Sequence, residues 1–369
     1  MTKILHVYKD YYPVLGGMEN HIKVLSEALV ARGYDVTVLV THPTSQTHVE
    51  ERNGVHVIKA GRLATVASTP ISVSLPWLLW RQQPDITHLH FPYPLGEVAH
   101  LLLGRAPHTV ITYQSDVVRQ RGLLQLYRPL LWTVLRSADR IIATTPNYIA
   151  SSPFLSQLRD KCTVIPLGVP VERFASAPPD QVQRIRNTYG APLLLFVGRL
   201  RYYKGLQYLL QALPGIPATL LVVGSGPMEA EWRQLSQALD LTEKVFFVGE
   251  VSDTDLPAYY HACDVFVLPA SERSEAYGLV QIEAMASGRP VVCTELGTGT
   301  SFVNLHGHTG LVVPPRDPGA LKEAIELLLH DKARRRSMGQ QARQRAIQKF
   351  NVETMVDRIT SLYAELLAA

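Results

Sequence analysis

Short apolar runs alternate along this chain with longer stretches whose apolar residues recur every three or four positions. That is the pattern of buried strands followed by amphipathic helices. Residues 3–8 predict a first strand, and a loop ending in Gly16-Gly17 leads into a helix over 18–32. Ile22, Leu25, Ala28 and Leu29 share one face of that helix, and Gly33 is its stop. Further strands are predicted at 36–40, 55–60, 86–90, 109–113, 140–144 and 162–166. Leu167-Gly-Val-Pro170 and Ala175-Ser-Ala-Pro-Pro179 then read as a turn-rich linker. The series restarts with strands at 193–197, 219–223, 245–248, 265–268, 291–293 and 311–313, alternating with helical stretches. Such alternation predicts parallel sheets with helices on both faces, and two series predict two Rossmann-like domains with a cleft between them. Ligands of open parallel sheets sit beyond the carboxyl ends of the strands, so the residues just after each strand are the candidates for chemistry.

Composition agrees with two folded domains. The chain has 369 residues, more than one hydrophobic core usually organises, with 46% hydrophobic and 18% charged residues. A net charge of +4 suits an anionic ligand or an anionic membrane surface and is too weak to imply nucleic acid. The three cysteines, Cys162, Cys263 and Cys293, have no metal-ligand spacing and read as reduced thiols of a cytosolic protein. The N-terminal apolar run is too short for a signal peptide, and no stretch reaches the roughly 18 apolar residues of a membrane span.

The strand ends carry a distinctive set of charges. Phe196-Val-Gly198-Arg199-Leu200 closes a strand and Lys204-Gly205 opens the next helix, so Arg199 and Lys204 are expected to project from one strand-to-helix loop. Arg can hold phosphate oxygens bidentately and Lys supplies a point charge. The alternative is a pair of solvated surface cations. On the ligand reading, Lys204 is a group that folding does not need. Glu275 follows the strand at 265–268, and Glu283 lies about two turns into the next helix. The start of that helix, around Tyr277-Gly278-Leu279-Val280, offers free backbone N–H groups to a phosphate. Glu283 sits among Val280, Ile282, Ala284 and Met285, so it should have a partner; a ribose diol and a buried salt bridge are the two candidates. Together the cations and acids suit a sugar joined to a diphosphate.

Other features are weaker. Gly224-Ser-Gly226 resembles the start of a dinucleotide fingerprint, but position 229 is Glu where the third glycine would stand, which ranks a nicotinamide or flavin enzyme low. Asp253-Thr-Asp255 precedes a helical pattern and reads as a cap with Ser252, not as a metal site. The His88/His90 and His306/His308 spacings suit strands or loops and identify no metal. Residues 71–81 and 119–132 mix aromatic, aliphatic and basic side chains; they fit either an anionic membrane face or ordinary core helices with a basic rim.

Gly198-Arg199…Lys204-Gly205, the Glu275-x7-Glu283 element and Gly16-Gly17 resemble the retaining glycosyltransferases of family 4, whose fold is GT-B. The resemblance covers nearly the whole chain and is more specific in its C-terminal half. His88-Leu-His90-Phe-Pro, Thr112-Tyr-Gln-Ser-Asp116 and the segment 295–304 are similar to bacterial members that build lipopolysaccharide O-antigen, capsule or related glycans. It implies an α/β GT-B fold, two Rossmann-like domains facing each other across a deep cleft. An acceptor-binding domain would span 1–169, completed by a C-terminal helix at 352–369, and a donor-binding domain would span 170–351. By resemblance, Arg199 and Lys204 bind the donor diphosphate, Glu275 the donor sugar and Glu283 the ribose. The backbone around Gly249-Glu250-Val251 would face the base, and Gly16, Gly17, Gly198, Ala276, Tyr277, Gly278 and Leu279 would complete the donor site. Gln114 and Asp116 would join the catalytic set, with His90, Tyr113 and Asp116 on the acceptor side. Gln114 departs from the family, which usually has a sugar-contacting His there; Gln hydrogen-bonds but does not titrate near neutrality.

The expected activity is transfer, with retention, of a hexose from a nucleoside-diphosphate sugar, leaning to GDP-mannose or a GDP-deoxyhexose. The acceptor is a hydroxyl of a glycan or lipid-linked glycan. No cofactor and no metal are expected. The expected partners are the nucleotide sugar, the glycan acceptor and an anionic membrane surface at the cytoplasmic face. A sugar-nucleotide epimerase and a non-catalytic nucleotide-sugar or glycan-binding protein are the alternatives.

Overall fold

The computed structural model describes residues 1–14, 16–67, 69–116 and 121–369, with the side chains of 121–124 excepted. The chain divides into two compact units: Met1–Gly168 with Val352–Ala369, and Val169–Asn351.

The first unit is built on β1 (Lys3–Val7), β2 (Asp35–Thr41), β3 (His48–Arg52), β4 (Val55–Ala60), β5 (Ala64–Val66), β6 (Thr69–Ile71), β7 (Ile86–Phe91), β8 (His108–Tyr113), β9 (Arg140–Ala143) and β10 (Cys162–Val164). Eight of these form one sheet in the order β10-β9-β8-β7-β1-β2-β4-β3. Every residue of β7 is buried, as a central parallel strand covered on both faces requires. The strand order reverses between β1 and β7, so the loops after those strands flank the ligand crevice of a doubly wound sheet.

Two features depart from the expected parallel plan. β3 runs antiparallel to β4 at the sheet edge, and β5 and β6 form a separate antiparallel ribbon. Neither carries an apolar run: β3 is His-Val-Glu-Glu-Arg and no residue of it is fully buried. Charged side chains of this kind suit an edge strand and erase the periodicity that marks an interior one. The helix Val352–Leu367 belongs to this unit. Arg32 holds it with Glu353 at 2.8 Å and Asp357 at 2.7 Å, and the Tyr363 hydroxyl lies 2.6 Å from His88 Nδ1.

The second unit contains β11 (Leu193–Val197), β12 (Thr219–Val223), β13 (Val245–Gly249), β14 (Val265–Leu268), β15 (Val291–Thr294) and β16 (Gly310–Val313). All six are parallel, in the order β13-β12-β11-β14-β15-β16. Leu194, Phe196, Leu209, Leu220, Trp232, Ile325 and Leu328 fill its core between sheet and helices. Here the strand order reverses between β11 and β14. The two loops that carry the sequence-predicted cations and acids are therefore neighbours.

The first unit also buries an unusual polar cluster. His6 on β1 pairs in register with His88 on β7, and His90 follows on the same face. His6 Nδ1 lies 3.0 Å from His90 Nε2, His88 stacks on His90, and the His21 ring packs edge-on against His90. Burial drives all four imidazoles to the neutral form: His6 is pushed down to about 3 and His21 to about 4, from 6.5, and His88 and His90 lie well below it. Buried Glu97 opposes them, since burial raises its carboxyl to about 7.

The sign of the pH dependence follows. Below pH 6.5 the unfolded chain binds histidine protons that the folded chain refuses, so stability falls with pH. At pH 5.5 each such histidine costs on the order of 1 kcal/mol, whereas Glu97 returns about 2 kcal/mol. The four histidines outweigh it. Urea unfolding followed at pH 7.5 and 5.5 should show the first unit losing about 2 kcal/mol or more; equal midpoints would contradict the burial of neutral histidines.

Candidate active site

β11 ends at Val197, and Gly198 donates its N–H to Val223 O at 3.0 Å, tying the loop to the end of β12. Leu200 donates to Ser225 O at 2.8 Å. A Cβ on Gly224 would lie 2.2 Å from Gly198 O, and one on Gly226 2.5 Å from Leu200 O. The Gly224-Ser-Gly226 glycines therefore permit two loops to pack backbone to backbone, which accounts for them without a dinucleotide. After a short turn at Tyr202–Lys204, Gly205 adopts φ +67°, and a Cβ there would sit 2.1 Å from Pro269 O. Tyr203 O also accepts the Ser271 N–H at 2.9 Å. These contacts clamp the β11 loop onto the β14 loop.

That clamp brings Lys204 against Glu275. Their charged atoms are 2.6 Å apart, and the residues are only 8% and 7% exposed. Burial alone would lower the Lys204 ammonium; the Glu275 carboxylate overcomes that and raises it, so the lysine is firmly charged. Lys204 is thus part of a desolvated ion pair and not an exposed cation projecting from the loop. Arg199 differs: it is exposed and its guanidinium has no ion pair or hydrogen bond among the described residues. Backbone bonds fix Glu275, whose N–H donates to Glu272 O and whose carbonyl accepts from Thr298 Oγ1, both at 2.9 Å. Ala276 O accepts the Gly299 N–H at 2.8 Å, and the buried Tyr277 ring lies edge-on to Phe350.

Gly278 caps the next helix, Leu279–Ala286, in the left-handed conformation at φ +77° and with no side-chain cap. The first amides of a helix have no intrahelical acceptor, so Leu279 and Val280, which follow Glu275 closely in the chain, carry such N–H groups. Further along this helix, Glu283 accepts a hydrogen bond from Tyr260 Oη at 2.7 Å. Its partner is therefore a phenol and not the buried salt bridge considered from sequence. Burial raises the Glu283 carboxyl, while Tyr260, Arg173 and Lys204 draw it back down. Tyr260 carried no sequence signal. At the end of β13, Gly249 has φ +83°, Glu250 accepts from Ser225 Oγ and Val251 is half-buried. Ser252 organises the turn before the helix Leu256–Ala262 by accepting the Asp255 N–H at 3.1 Å. Asp253 pairs with Arg173 at 3.2 Å, and Asp255 makes no side-chain cap bond.

In the first unit, Gly16 is the extended N-cap and Gly17 the first residue of the helix Gly17–Ala31, both exposed. Gln114 follows β8, is 4% exposed, and its Nε2 has no hydrogen-bond acceptor among the described residues. Asp116 Oδ1 accepts from Tyr113 Oη at 2.7 Å and from Ser152 Oγ at 2.9 Å. A helix cap by Asp116 for Val117 onward, the local alternative to a catalytic role for this carboxylate, falls outside the described residues. His90, at 1% exposure, and Tyr113 are buried. His6, His88 and His90 hold ring nitrogens within 4.8 Å of one another. Both His88 nitrogens are engaged, by Tyr363 and Thr112 at 2.6 Å each, and His6 and His90 bond each other, so the trio has the make-up of a hydrogen-bonded core.

Residues 15–173 match the model for Glycosyltransferase Family 4, and residues 180–345 match that for Glycosyl transferases group 1. The chain is 39% identical to the D-rhamnosyltransferase WbpZ of Pseudomonas aeruginosa, over 94% of this chain and 92% of that protein. It is 37% identical to the O-antigen chain mannosyltransferase C of Escherichia coli, over 99% of each. Among solved structures, a sucrose-phosphate synthase from Thermosynechococcus elongatus superposes with a TM-score of 0.82 at 27% identity, covering 100% of both chains.

The buried pair makes a stability prediction. Removing one partner strands the other charge, which costs about 3 kcal/mol or more, whereas removing both is far milder. Lys204→Met should therefore lower the urea midpoint of the second unit strongly, and adding Glu275→Gln should recover most of the loss.

Proposed function

The chain belongs to glycosyltransferase family 4 and has the GT-B fold, and from that premise we propose that it moves a hexose, with retention, from a nucleoside-diphosphate sugar to a glycan or lipid-linked glycan hydroxyl in O-antigen-type polysaccharide synthesis. The leaning to a GDP-hexose, mannose or a deoxyhexose, rests on likeness to the mannosyl- and rhamnosyltransferases above.

The Lys204–Glu275 pair at the β11/β14 crossover carries the proposal. As the anomeric C–O bond breaks, negative charge grows on the β-phosphate. Lys204, Arg199 and the amides at Leu279 and Val280 are the groups that stabilise it. A diphosphate competes with Glu275 for the Lys204 ammonium, and Glu275 is then released to accept hydroxyls of the donor sugar. Glu283 takes the ribose diol. The acceptor oxygen bonds to the anomeric carbon on the face the phosphate leaves, and its proton passes to the departing phosphate oxygen. Neither a separate base nor a metal is required. In the rival mechanism Glu275 is a nucleophile, and a covalent sugar trapped on it would establish that course.

A surface of the first unit supports peripheral membrane attachment. No helix among the described residues is long and apolar enough to cross a membrane. Trp77 and Trp80, however, are 53% and 48% exposed on the helix Leu75–Trp80, Arg81 lies over the Trp77 ring, and Leu63, Val66 and Val73 are exposed in the adjoining chain. Aromatic rings with basic neighbours suit an anionic lipid interface. The second candidate stretch is partly open to description: residues 119 and 120 fall outside the described residues, while Leu126 is exposed on the helix Arg121–Ser137.

Two measurements test these assignments. Incubation with a panel of nucleotide sugars, with and without lipid-linked glycan, should release nucleoside diphosphate only when acceptor is present. Interconversion of free donor would identify an epimerase, and binding without turnover a non-catalytic protein. In that assay exposed Arg199→Ala should fold normally and lose about 100-fold in rate. In the second, Trp77→Ser with Trp80→Ser should abolish sedimentation with anionic liposomes while sparing turnover of a soluble acceptor; retained sedimentation would exclude this surface.

A further inference from the structure

We propose that Tyr260 is a positioning residue for the donor: by donating its phenolic proton to one oxygen of Glu283, it fixes that carboxylate so that the other oxygen meets the vicinal hydroxyls of the donor ribose. This rests on the assignment of Glu283 to the ribose made above.

The two side chains come from the helices on either side of β14, Leu256–Ala262 and Leu279–Ala286. Tyr260 Oη lies 2.7 Å from Glu283 Oε2. The tyrosine is fully buried, with Phe174 edge-on to its ring at 5.7 Å and Phe266 tilted against it at 5.7 Å. Its orientation is therefore set by packing that does not involve a ligand. Burial and the Glu283 charge hold its own ionisation far above the ordinary tyrosine range, so it remains a neutral donor at every working pH. The Glu283 carboxylate accepts no other side-chain hydrogen bond among the described residues.

Chemistry gives this arrangement a purpose. A vicinal diol brings two O–H donors and binds best to an ionised carboxylate, which is a pure acceptor. Burial works against that state in Glu283, and the Tyr260 bond is the largest influence restoring it. A hydrogen bond to the charged form favours that form, so losing the hydroxyl both frees the carboxylate to rotate and raises its pKa further. The effect on binding should then grow as the pH falls, and it should exist only for nucleotides that possess the diol.

The test is Tyr260→Phe, which keeps the ring and its packing. Affinities for GDP and 2′,3′-dideoxy-GDP are measured by calorimetry, with UDP and its dideoxy analogue alongside so that base preference does not decide the outcome. Tyr260→Phe should weaken the preferred ribonucleotide about five- to tenfold at pH 7.5, more at pH 6, and leave the dideoxy analogue within about twofold. Glu283→Gln should show the same diol-dependent loss. Equal losses for both nucleotides would make Tyr260 merely structural. An unchanged Tyr260→Phe protein beside a weakened Glu283→Gln would also overturn the inference. A Glu283→Gln protein with no diol-dependent loss, or a wild-type protein that binds none of the four nucleotides, would overturn the ribose assignment itself.

Discussion

The ion pair between Lys204 and Glu275 is the interaction on which the second unit's site depends. Desolvating two charges is costly, and apolar residues of the same volume often do as well or better for stability alone. The pair exists here because strand order reverses between β11 and β14, which makes two loops distant in sequence adjacent in space. Gly205 then allows the Pro269 carbonyl to approach closely enough to lock them. The two charges compensate each other, and Glu275 keeps the buried lysine charged.

Much of this was legible in the sequence, for identifiable reasons. The strands of the second unit are apolar on both faces, as with Leu193–Val197, so their period and ends stand out. The charges just beyond them could be placed near one another from topology alone. What sequence could not supply was the state of each charge. Lys204 and Arg199 lie five residues apart and read alike, yet one is buried in an ion pair and the other is exposed. The difference comes from the Tyr202–Lys204 turn and the clamp at Gly205, both tertiary effects. The partner of Glu283 was hidden for the same reason: Tyr260 lies on a different helix whose local sequence carries no functional pattern.

The first unit illustrates the opposite limit. His6, His88 and His90 are polar letters in apolar strands, and spacing alone leaves their role open. In the structure they hydrogen-bond and stack as neutral rings, tied through Tyr363 to the returning C-terminal helix. A polar core of this kind depends on its members staying uncharged, since His6 Nε2, His90 Nδ1 and both His21 ring nitrogens have no hydrogen-bond partner among the described residues. The edge strand β3 was missed because its charged residues serve to keep another strand from adding there, which removes the alternation used to find strands.

Gln114 completes the electrostatic picture. An amide carries no proton that comes and goes near neutrality, so a position usually given to histidine in this family contributes no pH dependence here. Its buried Nε2 lacks an acceptor among the described residues, and a buried unsatisfied donor is costly unless something else completes it. Any pH dependence of the proposed donor binding then falls to a group whose pKa the fold has shifted upward. Glu283 is such a group: burial lifts its carboxyl, and Tyr260, Arg173 and Lys204 limit how far. On the proposed assignment of Glu283 to the ribose, recognition of that part of the donor is the step that responds to pH.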